Sequence, residues 1–124
     1  MIYAITYGSR DKNGEPIQNI ERKLAPFMQE ICKVWGGASV VPVKGYYVME
    51  SDGRLMIEDS YRIEVQITPN PLNSCGISPL QPQDAQEWFA DLAGDLGYVL
   101  NQESVLVQAI PSEGTLQFVR NHAA

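Results

Sequence analysis

Apolar and polar positions follow two periods along this chain, and the switches between them mark out its elements. Residues 2–7, IYAITY, are a β-branched and aromatic run that predicts a first strand. Arg10–Glu15 carries Asn13-Gly14, residue types that tolerate positive φ, and predicts a turn. Pro16 then suits the first turn of a helix. Ile17, Ile20, Leu24, Phe27, Met28, Ile31, Val34 and Trp35 recur at spacings of three and four, which predicts one apolar helical stripe. Pro26 lies inside that pattern and predicts a kink or a restart, and Gly36-Gly37 predicts the helix stop. Residues 38–50 read as a second strand, with Pro42 pointing to an edge position or a bulge and Gly45 to a bend. Ser51-Asp52-Gly53 is a hairpin turn signal.

The alternation is clearest in the third strand. Leu55, Ile57, Tyr61, Ile63, Val65 and Ile67 fall on one face, and Arg54, Met56, Glu58, Arg62, Glu64 and Gln66 on the other. An unbroken strand over 54–68 would be about 50 Å long, and Asp59 falls on the apolar face, so a break is expected around Glu58-Asp59-Ser60. Residues 69–82 hold four of the eight prolines and predict a loop. A second helix is expected over about 83–100, apolar through Trp88, Phe89, Leu92, Leu96, Val99 and Leu100. Its Asp84, Glu87, Asp91 and Asp95 form an acidic stripe. Residues 103–110 predict a fourth strand, Thr115–Val119 a short fifth, and 120–124 a frayed tail.

The order β-α-β-β-α-β predicts an α+β domain of the ferredoxin-like kind, a four-stranded antiparallel sheet with two helices on one face. The whole chain of 124 residues is expected to form a single domain, long enough to bury a core without metals or disulfides. Gly36-Gly37 through Gly45-Tyr46, Asp52-Gly53, Glu58-Asp59-Ser60 and Leu100-Asn101-Gln102-Glu103-Ser104-Val105 resemble a loose group of small uncharacterised bacterial and phage proteins. The resemblance implies the same fold, frequent self-association and no particular activity.

Charge narrows the classes of function. Fifteen acidic residues against nine basic ones give a net charge of −6, which opposes sequence-independent nucleic-acid binding. No segment approaches the apolar length of a membrane helix, and the start of the sequence lacks a signal-peptide pattern, so a cytoplasmic protein is expected. Cys32, read on the apolar side of the first helix, and Cys75, in the proline-rich loop, look like ordinary thiols. With one histidine, His122, near the end of the sequence, neither a cysteine nucleophile nor a zinc site assembles, and no cofactor, metal or catalytic residue is assigned.

What remains is the sheet. Tyr3, Tyr7, Tyr46 and Tyr47 are expected to line it, with polar groups where the patterns break. Tyr7, Tyr47, Asp59, Ser60, Gln102 and Glu103 are therefore the candidate ligand-binding residues. The leading expectation is a non-catalytic binding or regulatory protein, a homodimer through its sheet, taking a small molecule or a protein partner. The alternative is a cofactor-free enzyme, isomerase- or monooxygenase-like, with Asp59 or Glu103 as a carboxylate base.

Overall fold

The computed structural model describes residues 1–48, 51–67, 84–103 and 105–111, and all but the side chain of Tyr47 among them. The elements are β1 (Ile2–Gly8), α1 (Ile20–Trp35), β2 (Ser39–Val48), β3 (Leu55–Gln66), α2 (Ala85–Val99) and β4 (Leu106–Ile110). The strands make one antiparallel sheet in the order β2-β3-β1-β4. This is the ferredoxin-like α+β arrangement that the element order predicted.

One face of the sheet carries the core. Directly paired residues share a face, so Tyr3, Ile5 and Tyr7 of β1 stand beside Val65, Ile63 and Tyr61 of β3. Leu24, Ile31 and Trp35 of α1 and Phe89, Leu92 and Leu96 of α2 cover that face. The Tyr3 ring stacks on Phe89 at 4.8 Å, and Trp35 packs against both Trp88 and Phe89 at 5.8 Å. The Trp35 indole N–H is buried and has no hydrogen-bond partner among the described residues.

Several local expectations are corrected. α1 begins at Ile20 after Asn19 in the left-handed region at φ 53°, not at Pro16. Pro16 instead bridges Arg10, and the Ile17 N–H donates to Ser9 O at 3.1 Å, because a proline next to a bridge needs no donor of its own. Pro26 sits inside one continuous helix, and Gly36 at φ 100° ends it by donating its N–H to Cys32 O at 2.9 Å. Cys32 is exposed rather than apolar-packed. β3 runs unbroken through Glu58-Asp59-Ser60, because all ten residues of β2 pair with it in one register. The strand therefore keeps its alternation and carries the hairpin beyond the helices, where Tyr46, Val48, Leu55 and Ile57 are exposed. The expected proline-rich loop with Cys75, the fifth strand and the tail with His122 lie outside the described residues.

Candidate functional site

Among the described residues no helix lies over the far face of the sheet, and its chemistry changes along its length. Across the middle it carries Thr6, Arg62 and Val41 in one row and Ala4, Glu64 and Ser39 in the next. Arg62 Nε donates to Glu64 Oε1 at 2.8 Å, an ion pair between two residues of the same strand face. Toward the end of β1 the side chains shrink. Gly8 stands beside Ser60, and Gly45 of β2 stands beside Glu58.

Glycine inside a strand leaves room for a ligand or another backbone to approach. A Cβ built at Gly45 would meet nothing nearer than Glu58 O at 4.0 Å. A Cβ at Gly8 would meet Gln102 Oε1 at 3.2 Å, Arg10 O at 3.5 Å and Glu58 Oε1 at 3.5 Å. Three polar groups from separate parts of the chain thus converge on one glycine. The space over Gly8 is therefore filled by the chain's own polar groups, while Gly45 leaves room beside the Glu58 position.

Backbone hydrogen bonds hold this corner. The Gly8 N–H donates to Gln102 Oε1 at 2.9 Å, and Gln102 Nε2 donates to Arg10 O at 2.7 Å. The Gln102 N–H caps the end of α2 through Gly97 O at 2.8 Å, just after Asn101 turns at φ 52°. The Lys12 N–H donates to Asn101 O at 2.8 Å, joining the β1–α1 turn to the α2–β4 corner. That turn is organised by Asp11, whose Oδ1 accepts the N–H groups of Asn13 at 2.8 Å and Glu15 at 3.0 Å. Hydrogen bonding from the Glu15 N–H, above all, holds the Asp11 carboxyl below the usual range, with Asn13, Asn101 and Lys12 adding to it. Ser9 ties the turn to β3, donating both its N–H and its Oγ to Asp59 O, at 3.1 and 2.8 Å.

The candidate residues read from sequence divide between the two faces. Ser60 and Gln102 each adjoin Gly8, Ser60 as its strand partner and Gln102 through its hydrogen bond. Tyr7 is buried on the helix face, stacked on Tyr61 at 5.7 Å, and burial, then the Tyr61 ring, pushes its phenol up to about 12. Asp59 is exposed on that same helix-side face, paired with Lys44 of β2. Glu103 is exposed and, together with Gln102, lines a groove of about 320 Å³ between α2 and β4 that includes Gly97, Tyr98 and Val105. The backbone of Tyr47 pairs with Met56 in the hairpin, and its side chain lies outside the described residues. Tyr3, Tyr7 and Tyr46 stand on the helix-side face, the first two buried and Tyr46 exposed.

Sequence reasoning had passed over Glu58 and Gly8 as ligand-site residues. The strand alternation held the signal: it put Glu58 on the polar face with Arg62 and Glu64. The break expected at Glu58-Asp59-Ser60 concealed it. Among the described residues, no group of three or more His, Cys, Asp or Glu is placed to hold a metal ion, and no helix is long and apolar enough to cross a membrane.

No protein-family model matches the chain, and no curated protein does. Solved structures do resemble it. A phage SAM lyase in complex with S-methyl-5′-thioadenosine superposes with a TM-score of 0.56 at 21% identity, over 86% of this chain and 76% of that one. A phage SAM lyase in its apo state gives 0.53 at 22% identity, over 95% and 91% of the two chains. The periplasmic divalent cation tolerance protein CutA from Archaeoglobus fulgidus gives 0.49 at 15% identity, over 94% and 89%. At 21% and 22% identity the likeness to the two phage SAM lyase structures shows a shared fold.

Proposed function

We propose that this chain is a self-associating lyase acting on a sulfonium nucleoside of the S-adenosylmethionine type, at the Gly8–Glu58–Gln102 corner of the open sheet face. The observation that carries the proposal is the convergence of the Glu58 carboxylate and the Gln102 amide on Gly8, with open space at Gly45 on the other side of Glu58. The likeness to phage SAM lyases, one of them holding S-methyl-5′-thioadenosine, supports this choice of substrate.

The chemistry fits the residues present. A sulfonium is its own leaving group: the C–S bond breaks, its electron pair stays on sulfur, and the cation becomes a neutral thioether. The carbon left behind bonds to the substrate's own carboxylate, which then loses its negative charge in the new ester, so no water or cofactor is consumed. Glu58 holds the cationic substrate by charge, on the side of the strand where Gly45 leaves room. Gln102 is a positioning residue, because both of its polar ends are bonded to the backbone that shapes the site. An acidic protein of net charge −6 also draws in a cationic substrate. A cytoplasmic location belongs to this reading, since the substrate is an intracellular metabolite.

Self-association rests on the hairpin. Tyr46, Val48, Leu55 and Ile57 share one face of β2 and β3 and are exposed, an apolar surface of the kind that marks an interface. A homodimer is the simplest assembly that covers it. Light scattering tests it: a monomer at high concentration removes this part of the proposal.

The activity is tested by incubating the protein with S-adenosylmethionine and following S-methyl-5′-thioadenosine by mass spectrometry. Formation of the thioether without added cofactor is the expected result. Tight binding without turnover returns the chain to the non-catalytic binding class, and neither binding nor turnover removes the site assignment.

A further inference from the structure

A second surface lies on the helix side of the molecule, away from the open face. Between α1 and α2 is a cleft of about 480 Å³, lined among the described residues by Pro26, Phe27, Glu30, Trp88, Asp91, Leu92 and Asp95. Its floor is apolar and preformed. Trp88 packs edge-on against Phe89 at 4.9 Å and Trp35 at 5.8 Å, so the indole is fixed while remaining only half-buried. Its rim is acidic on both walls, Glu30 from α1 and Asp91 with Asp95 from α2.

Helix stability does not account for that rim. Asp91 and Asp95 stand four apart on one helix, where like charges repel, and α2 contains no Lys or Arg to offset them. Asp95 also lies in the C-terminal half of α2, where the helix dipole disfavours an anion. The acids border an exposed aromatic floor, which is the inverse of an amphipathic helix with a bulky apolar anchor and cationic flanks.

We propose that this cleft docks a basic amphipathic helix of a partner protein, with an apolar side chain seated against Trp88 and Phe27 and Lys or Arg residues set against Glu30, Asp91 and Asp95. This is the helix-in-groove mode of recognition, with charge complementarity setting orientation and salt dependence. It does not depend on the ligand assignment at Glu58, which lies on the opposite side of the sheet.

The test uses the whole chain and two synthetic peptides of identical Leu and Lys content, one with Leu at helical spacing and one scrambled. Calorimetry at two ionic strengths gives affinity, and the Trp88 indole N–H resonance reports position. The patterned peptide is expected to shift the Trp88 signal and to bind at least about tenfold tighter than the scrambled one. The double variant Asp91→Asn with Asp95→Asn is expected to weaken binding by about tenfold, while Glu15→Gln with Glu21→Gln, which removes the same charge elsewhere, changes it less than about threefold. Equal losses in both double variants would mean diffuse attraction to an acidic protein and would overturn the proposal. So would equal binding of the scrambled peptide, or a Trp88 signal that does not move.

Discussion

The two halves of β3 obey one alternation and meet opposite fates. Ile63 and Val65, on the helix side, are 0% exposed, whereas Ile57 and Leu55, on the same face of the same strand, are 56% and 62% exposed. The apolar pattern therefore specifies which face a residue occupies and leaves open whether anything covers it. In the lower half α1 and α2 do so, through Ile31, Phe89 and Leu96. In the upper half the hairpin has passed the ends of the helices.

Truncation in each half separates these cases most sharply. Ile63→Ala is expected to cost about 2–5 kcal/mol in urea unfolding, the range for a buried aliphatic side chain. Ile57→Ala in a monomer is expected to cost less than about 0.5 kcal/mol. A cost at Ile57 near that at Ile63, at concentrations where the protein associates, would show that another copy buries the arm. Leu55→Asp with Ile57→Asp is then expected to abolish association on light scattering while leaving the circular dichroism of the chain unchanged.

The same contrast explains what was legible in the sequence. The order of elements, the helix stop at Gly36, the edge position of Pro42 and the division of β3 into two faces follow from local spacing and turn chemistry. The start of α1 was misplaced because Pro16 satisfies a first helical turn and a β-bridge equally well, and only the pairing with Arg10 decides between them. Local pattern places the candidate residues only along their own elements. That Ser60 and Gln102 both adjoin Gly8 depends on strand pairing and on the long-range Gly8–Gln102 hydrogen bond, which no local pattern encodes. Tyr7 was read as a sheet-surface aromatic because strand parity alone does not say which face the helices take.

Smaller effects refine that division of faces. Because burial raises the Tyr7 phenol in the folded state to about 12 from about 10, folding favours its protonated form. Its contribution is fully present below pH about 10 and is lost as pH rises toward about 12. Tyr7→Phe should remove that part of the alkaline loss of stability while costing about 1 kcal/mol or less at neutral pH. At the acid end, the Asp11 carboxyl is lowered, so its turn should loosen only as pH falls below the ordinary carboxylate range, and Asp11→Asn should flatten that change, read by amide exchange at Asn13 and Glu15. Trp35→Phe is the smallest expected change, within about 1 kcal/mol, because the lost ring area is partly offset by removing a buried N–H that has no partner among the described residues.

The central claim is that ligand chemistry sits on the open face at Glu58 and not on the helix-side face of the same strand. Glu58 and Asp59 are neighbours in sequence, both exposed, and stand on opposite faces of β3, so they form a matched pair. The decisive measurement is calorimetric binding of S-adenosylmethionine to the native chain and to Glu58→Gln and Asp59→Asn. The account predicts a loss of at least about tenfold for Glu58→Gln and a change under about threefold for Asp59→Asn. Loss at Asp59 with Glu58 indifferent, or no binding by the native chain, would contradict it.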